Sequence, residues 1–357
     1  LTLERLKELR AEIDAIDDRI LELLNRRAKA AIEVGSIKTE RNLTFYVPER
    51  EVEILRRLTA ANDGPFPNDG LKAIYREIIS ASLALEKPLS VAFLGPQATF
   101  THLACLKHFG ESAEYVPQIN LSGVFDAVDR NAADFGVVPI ENSSEGIVSN
   151  TLDMFVDYNL LICGEILVEV AHDLLNVTGD IDHVRKVYSH PHAIAQCRGW
   201  LERNLREIPV FDVESTARAA ELAADDPGAA AIAGEAAAKI YGLKAIRKRI
   251  QDNTNNFTRF IILGKQASAP TGDDKTSILF SARDEVGALY LMLQPFAKNN
   301  VNLTKIESRP VKKKVWEYLF FLDMLGHITD PPVAKALDEL KTRAQFIKIL
   351  GSYPRSI

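Results

Sequence analysis

The sequence predicts a multidomain chain with three fold classes in series. An all-α helical module spans residues 1–88, a two-lobed α/β domain 90–267, and a ferredoxin-like α+β module 275–357. Three observations carry this. Apolar residues recur at spacings of three and four before Pro88. After it, β-prone apolar runs alternate with helical stretches. The last segment reads β-α-β-β-α-β, the ferredoxin-like order. The 357 residues suffice for separate cores, and a net charge of −6 without a basic block argues against nucleic acid as a partner. No apolar run reaches spanning length and the first residues form a charged amphipathic segment, so no membrane partner and a cytoplasmic location are expected. Cys105, Cys163 and Cys197 are scattered without ligand spacing and are expected to be reduced, mostly buried thiols.

In the first module, Leu6, Leu9, Ile13, Ile16, Ile20 and Leu23 form a coiled-coil-like seam that continues through Ala30, Val34 and Ile37. A second helix starts near Pro48, a good first-turn residue, and carries Val52, Leu55 and Leu58. Asn62 to Pro67 breaks it. A third helix is expected to turn Leu71, Ile74, Tyr75, Ile78 and Ile79 inward. The informative residues are polar ones on these stripes. Arg27 occupies a seam position, Lys38 lies nearly on the same face three turns later, and Ser82 and Glu86 extend the third stripe. Buried charges are costly unless paired, so these residues form either a structural ion pair or an anion site. Arg10 precedes Arg27 by about 25 Å along a helix. One small ligand touching both would need Arg10 from a second subunit, hence an intertwined dimer.

Leu9-Arg10, Leu23 to Arg27, Glu33 to Lys38 and Pro48-Glu49-Arg50-Glu51 resemble the all-helical chorismate mutase family over residues 1–88. The resemblance implies that Arg10, Arg27 and Lys38 hold the substrate's carboxylates and ether oxygen. It implies that Arg50 and Glu51 shape the site, and that Ser82 and Glu86 complete it. Chorismate to prephenate is pericyclic and needs only a held conformer and charge stabilisation, so no cofactor is implied. Val47 stands where enteric members carry Asp, and Glu86 where they carry Gln. An ionised Glu86 cannot donate to an ether oxygen, so in that role it would have to be protonated.

In the second domain, Ser90 to Leu94 reads as a strand turning through Gly95-Pro96-Gln97-Ala98 into a helix that Thr99 is placed to cap. Asp134 to Ile140 is another buried strand, ending in the polar cluster Glu141 to Gly146 at a carboxyl end, where α/β sheets bind ligands. Val187-Tyr188 leads into Ser189-His190-Pro191-His192 and a helix carrying Gln196. His190 and His192 lack accompanying Cys, Asp or Glu at ligand spacing, so no metal is expected. Asn255 to Leu263 reads as a loop entering a buried strand, with Thr258 and Arg259 placed to aim a hydroxyl and a cation into a cleft. The plainer alternative is an ordinary strand start with a solvated Arg.

The Gly-Pro turn with Thr99-Phe100-Thr101, Glu141-Asn142-Ser143, Ser189-His190-Pro191, Gln196-Cys197 and Asn256 to Phe260 resemble prephenate dehydratase across nearly the whole region. Ala98 stands where Gly is usual and His192 where Gln is usual. The resemblance implies two lobes like a type-II periplasmic binding protein, with the Thr258 strand returning to the first lobe. It also implies catalysis by Thr258, Arg259, Glu141, Asn142 and Gln196, with Thr99 and Ser143 at the substrate. Thr258 is expected to donate a hydrogen bond to the departing hydroxyl and Arg259 to anchor by charge.

Residues 266–274 read as a linker. In the last module, Gly287-Ala288-Leu289, Asn302-Leu303 and Glu307-Ser308-Arg309-Pro310 resemble the ACT domain of dehydratases. There these regions bind L-phenylalanine at a dimer interface. Together the resemblances imply a bifunctional chorismate mutase/prephenate dehydratase, a homodimer or homotetramer inhibited by phenylalanine. Two other readings are an amino-acid or oxoacid binding protein without turnover, and a dehydratase whose helices only dimerise. The Thr258-Arg259 window opposes the first, and the Arg10, Arg27, Lys38 set opposes the second.

Overall fold

A computed structural model describes residues 3–41, 45–144, 146–282, 285–310 and 318–356. The chain forms two compact units. One comprises residues up to 89 with 109–114, and the other the remainder. The first holds α1 (Leu3–Glu40), α2 (Pro48–Ala61) and α3 (Asn68–Glu86). Pro48 sits in the first turn of α2, where its missing N–H costs nothing. In the single chain the α1 seam is largely uncovered: Ile13, Ile16, Ile20 and Leu23 are each about half exposed. Ile74, expected to face inward, is 48% exposed for the same reason: the chain itself supplies no layer against it.

The second unit begins with a lobe of β1 (Ser90–Leu94), α4 (Phe100–Phe109), β2 (Glu114–Gln118), α5 (Leu121–Asp129), β3 (Phe135–Asn142), β4 (Gly146–Ile147), α6 (Ser149–Asp157) and β5 (Leu161–Glu169). The chain then builds a second lobe from β6 (Asp173–Asn176), β7 (Lys186–Ser189), α7 (Pro191–Gln196), α8 (Arg198–Asn204), β8 (Val210–Asp212), α9 (Thr216–Ala224), β9 (Ala229–Ala233), α10 (Glu235–Tyr241) and β10 (Lys244–Arg247). Next, β11 (Phe257–Gly264) returns to the first sheet, whose order is β2-β1-β3-β11-β5, with β4 on β3. The second sheet runs β10-β6-β9-β7-β8. β1 and β3 are parallel, whereas β11 is antiparallel to both its neighbours, as a strand entering from the other lobe must be. The register sets Thr258 opposite Asn142 and Arg259 opposite Glu141.

The C-terminal module contains β12 (Asp274–Ser281), α11 (Ala288–Lys298), β13 (Leu303–Pro310), β14 (Tyr318–Leu325), α12 (Pro331–Lys341) and β15 (Phe346–Pro354). Residues 315–317 of the expected third strand lie outside the described residues. The sheet order β13-β14-β12-β15 is ferredoxin-like. Met292, Phe296, Val333 and Leu337 of the helices cover one sheet face. The other face shares a core with the first lobe, where Leu279, Phe321, Leu350 and Tyr353 meet Ile261 and Leu263 of β11. Gly351 permits this docking, because a Cβ there would collide with the Ile162 backbone of β5.

Candidate active sites

In the helical unit, the cations on the apolar stripes meet polar groups of α3. Arg27 Nη1 donates to the Ser82 hydroxyl, and to the Ile78 carbonyl at 3.4 Å. Lys38 Nζ donates to Glu86 Oε2 at 2.9 Å and to the Phe45 carbonyl at 2.8 Å. Gly35 brings the second pair together: a Cβ there would stand 3.0 Å from that of Glu86, so its absence lets the helices close. Glu86 is thereby the ion-pair partner of Lys38. The Glu51 carboxyl is pushed up to about 7 by burial, against the Tyr46 hydroxyl at 3.3 Å and the charge of Arg76. Arg50 is not brought to this group. One residue from Glu51 is a turn of about 100° on a helix, and Arg50 points outward to pair with Glu53 at 2.6 Å. Arg10 is exposed on the first half of α1.

In the second unit, a cavity of about 280 Å³ opens between the lobes. Thr258, Asn142 and Phe100 line it from the first lobe, and His172, His190 and Gln196 from the second. Asn142 Nδ2 donates to Thr258 Oγ1 at 2.9 Å and to Asn256 Oδ1 at 2.7 Å. Gln196 Oε1 accepts from Asn256 Nδ2 at 2.9 Å and lies 2.9 Å from His172 Nε2. Thr99 accepts from the His102 N–H at 3.3 Å, the expected cap of α4. Ala98 has φ +67°, in the left-handed region that favours glycine. Its departure from the usual Gly therefore carries a backbone cost rather than a lost contact. His192 also lines the cavity, its ring edge-on to His190 at 5.0 Å.

Three expected site residues point elsewhere. Adjacent residues of a strand face opposite sides, so Thr258 in the cavity wall puts Arg259 behind it. Arg259 is 5% exposed, and Nε donates to Glu165 at 2.7 Å, Nη1 to Asp323 at 2.6 Å and Nη2 to the Tyr353 hydroxyl at 2.9 Å. Burial opposes its charge, but Tyr353, Asp323 and Glu165 outweigh that and hold it protonated. The expectation of a cleft cation is therefore replaced by a buried tie to the C-terminal module. Glu141, opposite Arg259, likewise pairs with Lys305 of β13 and lies 3.5 Å from Arg259. Burial alone would raise its carboxyl, yet the two cations hold it below the usual range. Ser143 clamps the entry to β11, donating to the Asn255 carbonyl at 3.0 Å and accepting the Phe257 N–H at 2.9 Å.

In the C-terminal module, Gly287 has φ +81° at the start of α11 with no atom within 4 Å of a built Cβ. Backbone conformation rather than packing requires glycine there. Ala288 is buried at the start of α11, Leu289 is exposed, Asn302, Ser308 and Pro310 are exposed, and Leu303 and Glu307 are partly buried. Arg309 turns to the dehydratase side, donating to Ser149 Oγ at 2.8 Å and lying 3.3 Å from Asp153. Sequence reasoning missed His172, Asp323, Tyr353 and Lys305. Asn256 lies two residues before Thr258, but the others lie far from it in sequence and carry no local signal.

Two separate polar sites, one built on helix-borne cations and one between α/β lobes around Thr258, with a ferredoxin-like module packed on the first lobe, give a multidomain chain with two candidate active sites. Family models match in the same order: Chorismate mutase type II over residues 9–87, Prephenate dehydratase over 91–268 and ACT domain over 276–342. The bifunctional chorismate mutase/prephenate dehydratase of Aquifex aeolicus is 53% identical, covering 99% of each chain. Among solved structures, a prephenate dehydratase from Arthrobacter aurescens in complex with L-Phe is 36% identical at a TM-score of 0.69, covering 75% of this chain and 90% of that one. GqqA, described as a novel type of quorum quenching acylase, is 31% identical at a TM-score of 0.69, covering 75% and 98%. The chain belongs to the bifunctional chorismate mutase/prephenate dehydratase family, and it carries both activities and an ACT domain.

Proposed function

We propose that the helical unit makes prephenate at Arg27, Lys38, Glu51, Ser82 and Glu86, and that the interlobe cavity then turns prephenate into phenylpyruvate. The first reaction needs cations at the carboxylates and a donor at the ether oxygen. Arg27 and Lys38 supply them once substrate displaces the Ser82 and Glu86 contacts. Arg10 comes from a second subunit: α1 is one unbroken helix of 38 residues, so its own Arg10 and Arg27 stay about 25 Å apart. The half-exposed seam of α1 is the surface such a dimer would bury. Three buried free cysteines fit a reducing, cytoplasmic setting.

In the second reaction the carboxylate on the ring leaves as carbon dioxide, and the electrons of its bond complete the aromatic ring. The ring hydroxyl leaves as water, taking up a proton. The observation that carries this assignment is the Thr258 hydroxyl: it lies in the cavity wall with its oxygen already accepting from Asn142. It acts as a hydrogen-bond donor to the departing oxygen. Asn142 and Gln196 orient groups around it, while Arg259 and Glu141 hold β3 and β11 against the ACT sheet. Thr258→Ala is expected to cut phenylpyruvate formation ~10³-fold and to leave chorismate consumption intact. Loss of both activities would make Thr258 a structural residue.

Phenylalanine inhibits through the ACT domain. Gly287 and Asn302 flank α11, whose 11 residues span about 16 Å, too far for one amino acid to bridge within a chain. As the resemblance to dehydratase ACT domains implies, the effector site is taken to lie between two ACT modules. Coupling is reciprocal, so an unreactive prephenate analogue weakens phenylalanine binding in calorimetry. Identical phenylalanine affinity with and without the analogue would count against this route.

A further inference from the structure

The side chains around Thr258 form a hydrogen-bond chain whose direction one backbone amide sets. The Ser144 N–H donates to Asn142 Oδ1 at 2.9 Å. A backbone N–H cannot reverse, so the other end of the Asn142 amide is its nitrogen. That nitrogen donates to Asn256 Oδ1 at 2.7 Å and to Thr258 Oγ1 at 2.9 Å. With its oxygen so engaged, Asn256 turns Nδ2 to Gln196 Oε1 at 2.9 Å. His172 Nε2 stands 2.9 Å from the same oxygen and must carry a hydrogen there. Asn256 is 1% and His172 3% exposed, so bulk water does not stand in for either. The consequence falls on Thr258. Its oxygen accepts from Asn142, and among the described residues no protein group accepts its proton. The hydroxyl borders the cavity, so that proton is left for whatever occupies it.

We infer that His172 and Asn256 are positioning residues of the dehydratase. From the far end of the chain they reinforce the amide orientation that the Ser144 N–H sets, the one that leaves Thr258 a donor toward the cavity. The inference rests on the reading of Thr258 as donor to the departing hydroxyl. With the Asn142 amide reversed, its oxygen would take the Thr258 proton, and the substrate would face a lone pair instead.

The test is steady-state phenylpyruvate formation across pH by full-length variants, with chorismate consumption in the same preparation as reference. Asn142→Asp keeps the Ser144 bond and the side-chain shape but turns a carboxylate oxygen toward Thr258. Its kcat is expected to fall ~100-fold near neutral pH and to recover in part as pH drops, because a protonated carboxyl donates again. His172, His190, His192 and Glu214 line the same cavity, while Glu141, Arg259 and Lys305 lie behind the strands. All are common to variant and parent, so the difference between their profiles belongs to the new carboxyl. His172→Phe is expected to lower kcat ~10- to 100-fold with KM nearly unchanged, and His172→Gln, which offers an N–H at similar reach, to restore most of it. Asn256→Leu should resemble His172→Phe. An Asn142→Asp profile without acid recovery, a His172→Gln as impaired as His172→Phe, or a loss carried by KM would each overturn the inference. Should the Phe or Leu variant not fold, Asn142→Asp and His172→Gln still decide. An active Thr258→Ala would instead sink the underlying reading, and that outcome is distinct from all of these.

Discussion

The two sites of this chain are built on opposite plans. In the helical unit, Arg27 is held by the Ser82 hydroxyl and Lys38 is paired with Glu86, and Arg10 and the apolar seam of α1 remain uncovered. In the dehydratase cavity, Thr258, Asn142, Asn256, Gln196 and His172 are already joined within one chain. The difference follows the chemistry. A pericyclic rearrangement asks the protein to hold a dianion folded, which helix-borne cations can do. An elimination asks for a donor aimed at one oxygen, and aiming needs a network that is complete and rigid before substrate arrives. The charge of the second site has been moved behind it, where Arg259, Glu165, Asp323 and Lys275 form a buried cluster with Tyr353.

That cluster gives the largest effect with which to break the comparison. Asp323 is fully buried and faces Arg259 at 2.6 Å, so Asp323→Ala leaves a buried guanidinium short of a partner. The expected cost is about 3–5 kcal/mol, seen as a lowered unfolding transition of the second unit and a matching loss of dehydratase activity. Mutase activity should persist. Equal loss of both activities would mean that the two sites are not independently supported.

A smaller effect sharpens the contrast from the other side. Glu51 is the acid of the helical unit that burial pushes up from 4.5 to about 7. Below pH 4.5 folded and unfolded chains both hold its proton. Between 4.5 and about 7 the unfolded chain ionises first, so stability falls as pH rises, by on the order of 3 kcal/mol across the window, and is flat above it. Urea unfolding followed by helical circular dichroism should show this slope in the parent and lose it in Glu51→Gln. An unchanged slope would assign the pH dependence to other groups.

Much of this was legible in the sequence, and the reasons for the rest are specific. The seam spacing of α1, the Pro48 start of α2 and the β-α-β-β-α-β order are local patterns, and each appears as expected. Thr258 was placed in the cleft by its position at a strand entry. Arg259 was placed there too, although period-two geometry forbids adjacent residues from sharing a face. Its true partners, Asp323 and Tyr353, lie 64 and 94 residues away, beyond any local pattern. Arg309 shows the same limit, its motif reading as one unit while successive members of β13 face opposite ways. Ala98 is visible in the sequence as a departure from Gly, but only its φ of +67° shows what the departure costs.

Subunit mixing tests the contrast between a shared and a self-contained site most directly. Arg10→Ala and Lys38→Ala chains, each without mutase activity, should regain roughly a quarter of parent activity when mixed and allowed to exchange, because half the dimers then carry one intact site. Thr258→Ala and Gln196→Ala chains mixed in the same way should regain no dehydratase activity, since both residues belong to one chain's cavity. Silence from the first mixture, or recovery in the second, would contradict the account.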